Sequence, residues 1–247
     1  MQELIYLSDA KLRQFVPEPQ RRSWFGRRVT GLKLGGSAAS FSGNVELALD
    51  RAGGEQNNAD QLAAVVEHID GRAPWYWERA KVGAWVYFEA PLFAFLPMMG
   101  RLNTALFTDA PPGRVEGHDP AHGTRLLLHG SRNHLVTDIP STNLRAAGVR
   151  GSRLHMAIQT LRSVAPPMAD QIDAPAPPIP GPRFADPSAF GELFDAVDRL
   201  SDAAAWMRGY ARVSLVTQPF DGEAGQARPL VVATPLFVAY APDLPDY

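Results

Sequence analysis

The chain contains no cysteine. Disulfides, thiolate metal sites, iron–sulfur clusters and a cysteine nucleophile are therefore excluded, leaving His, Asp, Glu and Ser as the chemical residues. Lysine is scarce as well: of 24 basic residues only Lys11, Lys33 and Lys81 are lysine, and the rest are arginine. Against 26 acidic residues the formal net charge is −2, too near neutral for a broad basic field that would attract nucleic acid or anionic membrane. Nucleic acid and membrane are thus not the expected partners. The most apolar window, Val82 to Met99, is broken by Glu89, Pro91 and Pro97, short of the roughly 20 apolar residues of a spanning helix. Met1 to Asp9 has no basic stretch followed by an apolar core, so no signal peptide is expected and the cytoplasm is the expected location.

What is present is the composition of a globular protein: 247 residues, 45% hydrophobic and 20% charged. That length suits one domain or two. Glu3 to Leu7 reads as a strand, and Ser8-Asp9 can cap a helical turn through Ala10 to Phe15. Val29 to Phe41 is strand-like but interrupted by Gly31, Gly35 and Gly36. Asn58 to Ile69 sets Leu62, Val65, Val66 and Ile69 at helical spacing, closed by Gly71. Lys81 to Phe95 is rich in strand formers, with Pro91 expected at a bend or edge. Thr104 to Thr108 and Thr124 to His129 read as further strands, and Gly151 to Val164 as a helix.

From Pro166 to Pro187 eight prolines fall in 22 residues, which excludes regular helix and marks a connector at 165–187. After it, Pro187 to Arg208 reads as a helix with Phe190, Leu193, Phe194, Val197 and Leu200 on one stripe. Ala211 to Thr217 and Leu230 to Tyr240 read as strands. The piece beyond the connector is small for an independent core, so its strands are expected to complete the sheet of the first half. The expected fold is a single α+β domain over 1–247, a mixed and largely antiparallel sheet packed with a few helices.

Several clusters invite a chemical reading. His118, His122, His129 and His134 are potential metal ligands, but Pro120 breaks the helical geometry that would bring His118 and His122 onto one face, which favours surface-loop histidines. Arg21, Arg22, Arg27 and Arg28 could contact an anionic partner, or form a solvated loop. Ser131 with His134 would need an oriented base and an oxyanion site to act as a nucleophile. Asp195, Asp198 and Asp202 share a helical face that reads as solvated. Trp75, Trp77, Trp85 and Tyr87 could form a platform for a ligand, with core packing as the competing explanation. No motif requires a cofactor.

The segment RLLLHGS, Arg125 to Ser131, resembles the His-Gly-Ser/Thr strand of ADP-ribosyltransferases of the poly-ADP-ribose polymerase type. That resemblance implies that His129 holds the ribose of NAD and the Gly130 backbone the nicotinamide amide. It departs from the pattern in two places. The first tyrosine after His129 is Tyr210, and neither Glu192 nor Glu223 matches the catalytic glutamate. More widely, IYLSDAKL, LLLHGSRNHLV, MRGYARVSLV and LVVATPLFVAYA together resemble an uncharacterised actinobacterial family, a domain of unknown function of similar length. The family implies no catalytic residues, and the occurrence of some members near bacterial conflict modules implies an accessory role. The resulting expectation is a ligand- or protein-binding accessory module with an unknown protein or small-molecule partner. The alternative is an enzyme, NAD-dependent or hydrolytic, organised around His129, Ser131 and His134.

Overall fold

The computed structural model of the protein describes residues 3–15, 59–78, 80–98, 103–111, 115, 123–144, 156, 157, 159–161, 187–200, 204–221 and 227–241. The chain divides into two compact units, Asp9–Arg72 and the remainder, Met1–Ser8 with Ala73–Tyr247. The former holds helix α1 (Asp9–Phe15) and helix α2 (59–69). Asp9 lies in the first turn of α1, where a carboxylate complements the helix dipole. In α2, Val65 and Ile69 are buried and four residues apart, hence on one face. Gly71 follows with φ 71°, the left-handed geometry that ends a helix. The glycine-interrupted segment Val29 to Phe41 and the arginines at 21, 22, 27 and 28 lie outside the described residues, as does the connector up to 186.

The larger unit is built from β1 (Leu4–Leu7), β2 (Trp85–Pro97), β3 (Thr104–Asp109), β4 (Arg125–Ser131), β5 (Ser141–Thr142), β6 (Ala205–Asp221), β7 (Ala227–Pro235) and β8 (Phe237–Tyr240). Helical residues 156, 157 and 159–161 (α3) and helix α4 (Pro187–Leu200) accompany them. Strand β2 pairs with β3, β3 with β4, β4 with β7, β7 with β6, and β6 returns to β2. The ring is closed. Only β4–β7 within it is parallel, so the sheet is mixed and largely antiparallel as the sequence suggests. It is nevertheless a five-stranded barrel rather than an open sheet with helices laid on it. Closure removes the free edges that an open sheet would have to protect.

Strand alternation separates an inside from an outside. Val86, Phe88, Ala90 and Leu92 of β2 pack with Ala105 and Phe107 of β3, Leu126 and Leu128 of β4, Val231 and Ala233 of β7, and Met207, Ala211 and Val213 of β6. All five strands contribute and every one of these side chains is buried, so this is the barrel interior. The opposite faces divide in two. On β3, β4 and β7, outward Leu106, Leu127, Leu230 and Val232 pack under Ala157 and Leu161 of α3 and Phe190, Leu193, Phe194 and Val197 of α4. Phe93 and Phe95 at the far end of β2 join that cluster, whereas Trp85, Tyr87 and Glu89 of β2 and Arg208 and Arg212 of β6 stay half-buried or exposed around buried Tyr210.

Pro91 sits inside β2, not at its end, and the reason is a change of partner. Leu92 pairs with Ala205 of β6 on one side and with Asp109 of β3 on the other, so β2 exchanges neighbours at this point. A residue without an N–H is tolerated at such a corner. The helix expected over Pro187 to Arg208 stops at Leu200, and residues 205–208 belong to β6. There they face 89–92 of β2 in register, a non-local pairing that overrides the local helix propensity of the alanines.

Strand β1 closes one mouth of the barrel. It pairs with β8 on one side and meets the segment after β4 on the other, where Val136 N donates to Ile5 O at 2.9 Å. Tyr6 points into the lumen, 2% exposed, edge-on to Phe107 at 6.0 Å and to His134 at 5.7 Å. Burial raises its phenol pKa well above the ordinary value, and a hydrogen bond with the Ser131 backbone only partly opposes this. No described helix is long and apolar enough to cross a membrane.

Candidate functional site

The His-Gly-Ser end of β4 is organised by packing and capping. Gly130 stands where a Cβ would run into the Tyr6 phenol, with Tyr6 Cζ only 2.6 Å from that position. The glycine is therefore required by the side chain that plugs the lumen. Ser131 Oγ accepts from Asn133 N at 3.2 Å and from Asn103 Nδ2 at 3.4 Å, capping the 3₁₀ turn Arg132–His134. His129 points to the outer face beside Leu106, its register partner, and is 4% exposed. His134 lies against Tyr6. Thus Gly130 faces inward and His129 outward, while Ser131 serves as a cap and His134 as a ring contact. His118 and His122 lie outside the described residues. Among the described residues no three His, Asp or Glu side chains gather in a way that could hold a metal ion.

A charged cluster that sequence reading missed lies at the start of β4. Arg125, 5% exposed, donates through Nε to Asp109 Oδ1 at 3.0 Å and through Nη2 to the Asp109 carbonyl at 2.9 Å. Its Nη1 and Nη2 also reach Asp198 Oδ2 and Oδ1 of α4 at 3.2 and 3.1 Å, a two-pronged ion pair. The guanidinium carbon stands 4.1 Å from the centre of the Phe194 ring. Asp198, read from sequence as part of a solvated face, is thus a partner of a buried arginine that fastens α4 to the barrel. Burial alone would lower the Arg125 pKa, but the two carboxylates outweigh it and raise the value.

Asp109 is fully buried, and burial pushes its carboxyl above the usual range, more than Arg125 and the Leu126 amide pull it down. The folded state then holds the Asp109 proton more tightly than the unfolded chain. Its stabilising share is present in acid and is lost as pH rises through the folded pKa, above about pH 4. Urea midpoints taken between about pH 4 and 8 should show the parent losing stability relative to Asp109→Asn as pH rises. A gap independent of pH would mean that the carboxyl titrates normally.

The outward face of β2 and β6 has a different character. Register sets Trp85 opposite Arg212, Tyr87 opposite Tyr210 and Glu89 opposite Arg208. A transverse row of rings crosses the strands: Trp77 and Trp75 stacked at 4.4 Å, Trp75 and Tyr87 at 4.8 Å, Tyr87 and Tyr210 at 5.3 Å, Tyr210 and Phe237 at 6.0 Å. Residues 74–76 are held beside β2 by Tyr87 N to Pro74 O and Tyr76 N to Tyr87 O, at 2.9 and 3.0 Å. Tyr87 donates its hydroxyl hydrogen to Glu89 Oε2. Burial, with the Glu89 hydrogen bond and charge beside it, raises the Tyr87 pKa well above its ordinary value. Trp75, Trp77, Trp85, Tyr87, Glu89 and Arg208 are half-buried and Arg212 is exposed. The competing explanations for these aromatics therefore meet here: the rings pack on one another and still present surface.

The class of protein is defined by the barrel. Numbered along the chain, its strands run in the order one, two, three, five, four and back to one, with strands three and five parallel and α4 between the third and fourth. That is the connectivity of an OB-fold barrel. Residues 4–242 match the model of a family of unknown function, DUF7019, and the chain belongs to that family. No curated protein and no solved structure matches the chain. In OB-fold barrels the outer face of the second and third strands takes oligonucleotides and oligosaccharides. Here those strands are β3 and β4, and their outward residues lie beneath α3 and α4.

Proposed function

We propose that this protein is a cytoplasmic binding module, non-enzymatic, whose ligand face is the outward side of β2 and β6 with the segment of residues 74–77 beside it. One observation carries the reading: half-exposed rings at Trp75, Trp77 and Tyr87 adjoin a carboxylate and a guanidinium at opposed register positions, Glu89 and Arg208. Aromatic surface with a few oriented polar groups is the usual make-up of a recognition site. The other outward face of the barrel is taken up by helices. The accessory role implied by the family resemblance fits a module that binds and does not turn over.

A thermal-shift screen of small ligands against the parent, Tyr87→Ala and Arg208→Ala tests the proposal. A ligand at about 100 times its dissociation constant stabilises the native state by about 2.7 kcal/mol. The expected result is a stabilised parent and unresponsive variants that themselves remain folded. A ligand that stabilises parent and variants equally would place binding elsewhere.

A further inference from the structure

We infer that the ligand of this face is a neutral carbohydrate chain, an inference that rests on the binding face proposed above and assigns its chemistry. Glu89 and Arg208 stand opposite each other across β2 and β6, so the polar centre of the face carries one negative and one positive group. A phosphodiester or acidic peptide laid there would meet the Glu89 carboxylate, and a basic peptide would meet Arg208 and exposed Arg212. Like charges placed together oppose binding and select against such partners.

Hydroxyl groups suit the pair without that conflict. A carboxylate only accepts and a guanidinium only donates, whereas each sugar hydroxyl does both. Adjacent hydroxyls can therefore donate to Glu89 and accept from Arg208 at once, through charge-assisted bonds. Beside the pair, the half-buried Trp75 and Trp77 stack on each other at 4.4 Å, a rigid apolar block against which the carbon face of a pyranose ring can pack. The row continues through Tyr87 and Tyr210 to Phe237. Tyr210 and Phe237 are buried and back the row from within, so the rings open to a ligand are Trp77, Trp75 and Tyr87. Rigid tryptophan and tyrosine side chains lose little conformational entropy on binding.

Calorimetric titrations of the full chain with cellohexaose, xylohexaose, chitohexaose and maltohexaose, each raised to about 10 mM to include millimolar affinities, test the inference. At least one should bind, with affinity lowered about tenfold or more, a loss of about 1.4 kcal/mol, in Trp75→Ala and in the conservative Glu89→Gln. Glu89→Gln keeps the shape of the face and guards against a Trp75→Ala variant that fails to fold. A hexathymidylate and an acidic hexapeptide are titrated in parallel. Binding of either at these residues while all four sugars stay silent would overturn the carbohydrate assignment and leave the binding face standing. Silence of every probe, or sugar binding indifferent to both substitutions, would overturn the assignment too.

Discussion

Arg125→Met is expected to lower the unfolding free energy by about 3–5 kcal/mol, because it leaves Asp109 buried without its cation. Methionine replaces most of the side-chain volume, so the loss reports charge and hydrogen bonding more than a cavity. Three things go at once: the Nε bond to Asp109, the two-pronged pair with Asp198, and the guanidinium over Phe194. The controls follow from burial. Asp198, 21% exposed at its side chain, can be solvated when its partner is lost, and Asp198→Ala should cost about 1–2 kcal/mol. The pair Arg125→Met with Asp109→Leu should recover much of the single loss, since apolar replacement of a buried ion pair is often neutral or better. Denaturant unfolding at neutral pH reads all three. A loss below about 1 kcal/mol for Arg125→Met, the range of an exposed surface pair, would show that the cluster does not fasten α4.

Tyr6 and Gly130 should behave as one unit. Tyr6→Ala empties the mouth of the lumen beside Phe107 and His134 and is expected to cost about 3–5 kcal/mol. Gly130→Ala places a methyl group against a phenol that is buried and cannot swing aside, and should cost about 1–3 kcal/mol as overpacking. In the Tyr6→Ala background the same substitution has room and should cost close to nothing. The double-mutant cycle therefore predicts a coupling of about 1 kcal/mol or more. Additive losses would contradict the placement of Tyr6 over Gly130. The cycle also separates two accounts of the His-Gly-Ser sequence: the contact explains the glycine by packing, whereas the ADP-ribosyltransferase resemblance assigns its backbone to a nicotinamide amide.

Much of the secondary structure is readable from local pattern. The apolar run RLLLHGS and the aromatic stretch after Trp85 carry enough β-branched, leucine and aromatic side chains to declare β4 and β2, and the stripe from Phe190 to Val197 declares α4. Barrel closure is not local. It depends on β6 pairing with β2 and on β7 lying parallel to β4, and both join residues more than 100 positions apart. The first residues of β6 illustrate the difficulty, since AWMR continues a helical pattern and becomes strand only because 89–92 of β2 supply its partners.

The charged cluster was hidden for the same reason. Asp109 and Asp198 stand 16 and 73 positions from Arg125, so no spacing rule connects them. The available signal was a charged residue opening an otherwise apolar strand, since such a residue must find partners when buried. For the binding face, Trp75, Trp77, Trp85 and Tyr87 stand out in the sequence. Tyr210, Phe237 and Arg208 do not, because only strand register brings them beside the first four.

The most direct test of the binding face is ¹⁹F NMR of the full chain labelled with 5-fluorotryptophan, which places a reporter at each of Trp24, Trp75, Trp77, Trp85 and Trp206. Resonances are assigned with single Trp→Phe variants and followed during titration with the sugar, nucleotide and peptide probes. Saturable shifts at Trp75 and Trp77 are expected with one of them, abolished by Glu89→Gln or Arg208→Ala. Saturable shifts confined to Trp24, or shifts at Trp75 and Trp77 that survive both substitutions, would contradict the binding face.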